Sequence, residues 1–555
     1  MTMMMASWEH SLGAWLVIGL LAVCCEASQH VEHLGVAIAM RDGKRLTGDV
    51  FLPAAEGRFP TIYIHTPYNR QFGGAPLPDE LLSTELRDRD HYAYVIVDWR
   101  GFFGSEEAAV PGQKPNHGHD TYDVIEWIGQ QSWSNGKVGM WGISAVGAVQ
   151  YQAAIQKPPH LVCIVPSSAH PGFPYQQFYY GGVLELYHLG VFNVAGHGRG
   201  QLIKSHPTYD RFWKAAERRD DLSRIDLPTL FITGWYDTHP GLKIHSLRAL
   251  ATPDKQHCND MKLIVGPWLH TKIGQRRQGA LEYPAAESFA DRQTMRFFDY
   301  WLRGRTDNGW DREPTIRYFQ MGTNRWKGAP AWPPKTTTVK YYPGTGGRLT
   351  KDLPGAEKPD AYRYDPKNPT PTLGGCLIEL RKAKLQIPNG PRDLRQKVEG
   401  RQDVITYTTD VLEENLEVVG AVRVKLYVSS DRRDTDFAVR LTDVYPDGRS
   451  MLVTDGIQGM KFRKSLERPE LIEPGKVYAV TVKLPPTAQT FVKGHRIRIV
   501  VSSANYPRFA ANRNLDRQRL LGPRALVATN RVYHDQEHPS AVLFPAGGQS
   551  EEPQP

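Results

Sequence analysis

Gly142-Ile143-Ser144-Ala145-Val146-Gly147 is the stretch on which the reading of this chain turns. It follows a short apolar run, residues 137–141, and precedes an Ala/Gln-rich stretch, residues 148–156. The pattern predicts a strand, a tight turn and a helix, with a serine at the apex. A glycine two residues before the serine lets the chain turn sharply. The small Ala145 and then Gly147 let helix and strand approach closely. The serine hydroxyl is thereby pushed out at the end of a sheet, and the backbone N–H of Ala145 points at an incoming carbonyl. Gly-x-Ser also occurs in ordinary strand–helix turns, so the motif needs company.

Two later segments supply it. In Pro228-Thr229-Leu230-Phe231-Ile232-Thr233-Gly234-Trp235-Tyr236-Asp237 an apolar strand runs into a loop ending in a carboxylate. Met261-Lys262-Leu263-Ile264-Val265-Gly266-Pro267-Trp268-Leu269-His270 repeats the design with a histidine. Both residues fall just past the carboxyl end of a strand, where open α/β sheets place ligands. The chain order Ser, Asp, His is that of the α/β-hydrolases. A lone Asp in such a loop is usually a turn or cap residue, and a lone His is usually structural. Order, placement and the serine elbow together select Ser144, Asp237 and His270 as a catalytic triad.

A dispersed set of motifs carries a resemblance to the cocaine esterase / X-Pro dipeptidyl-peptidase family (CocE/NonD, peptidase S15-like), which includes α-amino acid ester hydrolases and cephalosporin acylases. The matching pieces begin with His65-Thr66-Pro67-Tyr68, Asp98-Trp99-Arg100-Gly101 with Gly104-Ser105-Glu106, and residues 120–127 followed by 131–139. The elbow, Trp235-Tyr236-Asp237, Gly266-Pro267-Trp268-Leu269-His270 and residues 297–304 continue it. Gly390-Pro391-Arg392-Asp393, Tyr407-Thr408-Thr409 and Gly494-His495-Arg496-Ile497-Arg498 extend it into the last third. The resemblance implies a serine hydrolase that needs no cofactor, with the phenol of Tyr68 as second oxyanion donor beside the Ala145 N–H. A residue-level reading of Tyr68 is compatible, since residues 59–65 read as a strand and Tyr68 falls in the loop at its end. The family usually carries Tyr where this chain has Ala145. The backbone N–H survives that change, but the shape of the acyl site does not carry over.

The residue types set the expected chemistry. His270 takes the proton of Ser144 as attack occurs and returns it to the leaving group. Asp237 holds the imidazole in the right tautomer and stabilises the cation it becomes. The expected partner is a small ester or amide, or a short peptide, with an apolar or aromatic acyl group. Phe173, Tyr175, Phe178 and Tyr179 are candidates for the acyl pocket, and Glu185 is the candidate anchor should the substrate carry an ammonium group, as an X-Pro dipeptidyl-peptidase requires. A non-catalytic carbohydrate-binding protein on a retired hydrolase is a further alternative, disfavoured by the intact Ser, Asp, His and Tyr.

With 555 residues the chain exceeds one core. Residues 30–171 and 224–305 alternate apolar strands with helices and read as an α/β-hydrolase domain. Residues 172–223, aromatic and helical in period, read as an inserted helical cap. From 306 to 545 short alternating strands separated by Gly, Pro and Asp-Gly turns predict a β-sandwich of jelly-roll, galactose-binding-like type, with strands at 315–321, 339–342, 421–428, 437–445, 477–484 and 497–502. Residues 546–555 read as a disordered tail. Residues 12–23 form an apolar run of secretory length, so residues 1–27 are expected to be a cleaved signal and the protein secreted or periplasmic.

The net charge is +9, but Lys and Arg are dispersed and no basic run is interleaved with aromatics, which argues against nucleic acid. No other segment reads as a membrane helix, so no stable membrane insertion is expected. Self-association is left open. Asn116-His117-Gly118-His119-Asp120 lacks the pattern of zinc hydrolases and reads as a solvated loop before a helix. The five cysteines have no metal spacing, so no metal is expected.

Overall fold

The computed structural model describes residues 30–71, 83–194, 199–218, 221–378, 387–516 and 524–547. The expected signal, residues 1–27, and residues 548–555 of the expected tail lie outside the described residues.

The first unit is built along the chain from β1 (Val31–Ala39), β2 (Arg45–Leu52), β3 (Phe59–Thr66), β4 (Ala93–Asp98), α1 (His117–Gly129), β5 (Ser134–Ile143), α2 (Ala145–Gln156) and β6 (Leu161–Ser167). A short hairpin of β7 (Tyr179–Tyr180) and β8 (Val183–Leu184) follows, then α3 (Leu186–Val194), α4 (Gly200–Ser205) and α5 (Arg211–Glu217). The chain re-enters the sheet with β9 (Thr229–Tyr236), α6 (Pro240–Leu250) and β10 (Met261–Leu269). A second hairpin, β11 (Arg277–Gln278) and β12 (Leu281–Glu282), leads to α7 (Phe289–Trp301), β13 (Ile316–Gln320) and β14 (Arg325–Ala329).

Among the described residues, ten strands form one sheet in the order β1-β2-β4-β3-β5-β6-β9-β10-β13-β14. From β4 to β13 every neighbouring pair is parallel, and the outer hairpins close each edge antiparallel. The apolar run of β4 is buried along its whole length, as a strand covered by helices on both faces must be. The chain therefore has the expected α/β-hydrolase fold.

The second unit contains β15 (Thr337–Gly344), β16 (Arg348–Thr350), β17 (Asp360–Tyr364), β18 (Ile405–Thr408), β19 (Leu416–Ser430), β20 (Asp436–Val444), β21 (Ser450–Gly459), β22 (Tyr478–Phe491), β23 (Arg496–Ser502), β24 (Ala528–Tyr533) and β25 (Ala541–Ala546). The start of β15 pairs with β25 and its end with β16, so one strand passes from one half of this β-region to the other. Val424 and Leu426 of β19 share a single buried cluster with Val439 and Leu441 of β20 and Ile497 and Ile499 of β23. Alternate residues of β19 turn outward, the period-2 signature of a strand with one buried face.

Three expectations change. The strand expected at 315–321 belongs by hydrogen bonding to the first sheet, because β13 lies parallel beside β10 and carries β14 with it. Its polar flanks and distance from the earlier strands had hidden that membership. Residues 116–120 are no solvated loop: α1 starts at His117, with the Asn116 side chain capping the His119 N–H. His117 packs its ring 4.3 Å from that of Trp99. In the cap, Tyr175, Phe178, Tyr179 and Trp213 form a core of their own.

Candidate active site

The serine turn is built as its glycines require. Ser144 sits between β5 and α2 at φ 60 and ψ −120, a conformation that costs a non-glycine residue roughly 1–3 kcal/mol. A Cβ on Gly142 would lie 2.1 Å from Val146 Cγ1, and one on Gly147 would lie 2.9 Å from the Ser167 carbonyl oxygen. Neither position tolerates a side chain. The Ser144 N–H donates to that same Ser167 carbonyl at 3.0 Å, and the Ser144 carbonyl accepts from Ala148, which starts the helix.

Asp237 and His270 stand past the ends of β9 and β10, beside this turn. His270 Nδ1 lies 2.7 Å from Asp237 Oδ1, which sets Nδ1 as the protonated nitrogen and leaves Nε2 as the acceptor. The second carboxylate oxygen accepts from Thr233 Oγ1 at 2.8 Å. Asp237 is fully buried, and burial alone would raise its pKa. The ammonium of Lys243, 2.6 Å from Oδ1, and His270 reverse that and hold the carboxyl well below the usual range. The loop under His270 is fixed by Gln278, whose side chain accepts from the Leu269 N–H and donates to two loop carbonyls.

Tyr68 reaches the serine from the loop after β3. Burial of its hydroxyl raises the phenol pKa, and hydrogen bonds with the Ser144 side chain and the Ala145 N–H draw it partly back. The residue as a whole remains 39 % exposed. Arg70 pins this loop, with its N–H on Asp98 Oδ1 at 2.7 Å and its guanidinium on Asp98 and Asp49. Asp98 and Arg100 of the Asp-Trp-Arg-Gly motif therefore act as supports: Asp98 holds Arg70, and Arg100 holds Asp120 and Asp42.

A cavity of about 250 Å³ opens on Ser144, Ala145, Tyr68 and His270. Apolar walls come from Trp99, Ala148, Phe173, Val191, Phe192 and Ile378, and polar ones from Ser168, His170, Gln177 and His188. Of the cap candidates, Phe173 lines this cavity. Tyr175, Phe178 and Tyr179 do not: each is at most 1 % exposed inside the cap core. Large rings on a small insertion are consumed in giving it a core. Glu185 is likewise no free anchor. Its carboxylate lies 3.1 Å from Arg508 and 3.1 Å from His239 Nε2, fully enclosed, and burial pushes its pKa up to about 7 despite the guanidinium.

Sequence reasoning missed several residues of the site. Lys243 carried a legible signal, a lysine in the first turn of the helix that follows Asp237. Ser168 and His170 sit in the loop after β6, another carboxyl end of a strand. Ile378 and Arg508 carried none, because they come from the second unit.

The family of S15 X-Pro dipeptidyl-peptidases matches residues 42–201 and 194–272, and the X-Pro dipeptidyl-peptidase C-terminal non-catalytic domain matches 308–543. A cocaine esterase from Rhodococcus sp. (strain MB1 Bresler) is 34 % identical over 92 % of this chain and 97 % of its own. The chain belongs to the cocaine esterase / S15 peptidase family. It is a serine hydrolase of the esterase or X-Pro dipeptidyl-peptidase kind. In fold it is similar to a solved α-amino acid ester hydrolase at a TM-score of 0.81 and 25 % identity, covering 97 % of this chain and all of that one. An aminopeptidase from a Thaumarchaeota archaeon superposes with a TM-score of 0.78 at 22 % identity, over 94 % of this chain and 96 % of its own. Residues 316–329 thus fall to the C-terminal domain by family match and to the first sheet by hydrogen bonding.

Proposed function

We propose that this serine hydrolase cleaves esters whose acyl group is uncharged and largely apolar, through an acyl-enzyme on Ser144. One observation carries the reading: among the described residues, no carboxylate lines the cavity at Ser144. An X-Pro dipeptidyl-peptidase must hold a substrate ammonium group there, and Glu185 is spent on Arg508. A cavity of roughly 150 Å³ accepts a benzene ring, so about 250 Å³ accommodates an aryl or branched acyl group.

In the proposed course Ser144 Oγ bonds to the carbonyl carbon while its proton passes to His270 Nε2. The negative charge on the tetrahedral oxygen meets the Ala145 N–H and the Tyr68 O–H, each worth about 3 kcal/mol. Collapse breaks the bond to the leaving alcohol, which takes the proton from His270. Water then attacks the acyl carbon, giving its proton to His270, and Ser144 recovers that proton as the acid leaves. Export directed by residues 1–27 is part of the proposal, resting on the short apolar run in the leader.

Turnover of phenyl or p-nitrophenyl esters is to be compared with that of Xaa-Pro anilides with free and acetylated amines. The expected result is a higher kcat/KM for the esters. Faster cleavage of the free-amine anilide, abolished by acetylation, would overturn the ester reading.

A further inference from the structure

Lys243 lies in the first turn of α6, where nothing in the helix or the core favours it. The N-terminal end of a helix repels a cation, and an ammonium is costly to bury. Lys243 is nevertheless only 4 % exposed. Among the described residues its Nζ has three partners: Asp237 Oδ1 at 2.6 Å, the Thr238 carbonyl at 2.5 Å and Thr238 Oγ1 at 3.2 Å. The Asp237 oxygen it touches is the one that receives His270 Nδ1 at 2.7 Å. One carboxylate oxygen therefore serves two cations whenever His270 is protonated.

We infer that Lys243 is a positioning residue of the triad, orienting Asp237 and sharing its charge so that the acid–base pair works at lower pH than an unshared carboxylate would allow. The inference rests on the triad role proposed above. A carboxylate alone stabilises an imidazolium strongly, so the base form that accepts the Ser144 proton appears only at higher pH. A second cation on the same oxygen weakens that pull. Removing it must move the acid limb of the rate upward. Other groups face Lys243, and the histidines among them feel its charge. Burial first, and Lys243 next or close behind, push His170 down to about 4 and His188 to about 3, and His239 is also held well below its ordinary value. Cys376 is pushed up to about 12 by burial, and Arg508 is neutralised by Glu185 and Asp455. Glu185 itself titrates near 7 and needs a control.

The test is the rate of covalent labelling of Ser144 by a fluorophosphonate between pH 5 and 9, which needs no knowledge of the substrate. Lys243→Met and Lys243→Gln should each move the acid limb up by roughly one pH unit while keeping the alkaline plateau within about tenfold. Lys243→Arg, which keeps the cation, should hold the limb near its original place, and Glu185→Gln should not move it. A parallel loss at every pH, an unmoved limb, or failure of both neutral variants to fold would each overturn the inference, since each makes Lys243 only a structural support. No labelling of Ser144 in the unmodified protein would instead defeat the triad reading on which it stands.

Discussion

Asp237 and His270 share a hydrogen bond, and in the proposed mechanism Ser144 and His270 share one proton, so their losses do not add. Ser144→Ala or His270→Ala should each lower kcat by roughly 10⁵ to 10⁶, and the double variant little further. Steady-state kinetics on a p-nitrophenyl ester checks this, and additive losses would sink the assignment. Tyr68→Phe deletes one donor and keeps the ring, so kcat should fall about 10² to 10³ with KM nearly unchanged. Ser144, Asp237 and His270 could be proposed from the sequence because each sits at a strand end beside its own local signal: paired glycines, an apolar run, a fixed order. Tyr68 entered through the family resemblance. Glu185 was misread for the opposite reason. Its acidic character is local, but the guanidinium that consumes it comes from 323 positions along the chain. No pattern around either residue announces such a pairing.

The cap shows the same divide between period and packing. Its helices α3 to α5 follow from the sequence, and its aromatics suggested a substrate-facing wall. Trp213 decides otherwise. It is fully buried, stacked 5.9 Å from Phe173 and edge-on to Tyr175 at 5.4 Å, so the rings chiefly hold the insertion together. Trp213→Ala should cost about 3 to 5 kcal/mol in a chemical denaturation experiment. Because Phe173 would lose its stacking partner at the edge of the cavity, KM for an aryl ester should rise in the same variant. An unchanged KM would mean that the Phe173 wall is held by its other neighbours. The β-region was readable where turns such as Pro446-Asp447-Gly448 mark the break between strands, here β20 and β21, which are buried along almost their whole length. It was not readable at β13, where sheet membership depends on a neighbour in space.

Across the molecule, buried histidines set the response to acid. His170 and His188 are depressed below 6.5 by burial, with Lys243 or His270 next, so the folded state takes up protons later than the unfolded chain. Their contribution is complete above about pH 6.5 and is lost as pH falls toward 4. Glu185 acts in the opposite sense, since its raised pKa favours the folded state on acidification from 7 toward 4.5. Burial lowers His65 and His239 in the same way and raises Asp436 to about 7 and Asp291 to about 6 alongside Glu185. The four histidines are expected to prevail, so the melting temperature should fall between pH 6.5 and 4 in calorimetry. His188→Phe should flatten that slope, as both ring nitrogens lack a hydrogen-bond partner among the described residues. A melting temperature that climbs on acidification would show the buried carboxyls Glu185, Asp436 and Asp291 dominating. The second unit also reaches into the first: Ile378 closes a wall of the cavity, Arg508 grips Glu185, and backbone bonds Tyr187 to Arg508, Ala510 to Leu184 and Gly459 to Gly181 sew down the cap. In evolutionary terms the two units are not interchangeable parts. A chimera that kept one parent's strands β1 to β14 and borrowed another's β-region would inherit its chemistry from the first and its selectivity from both.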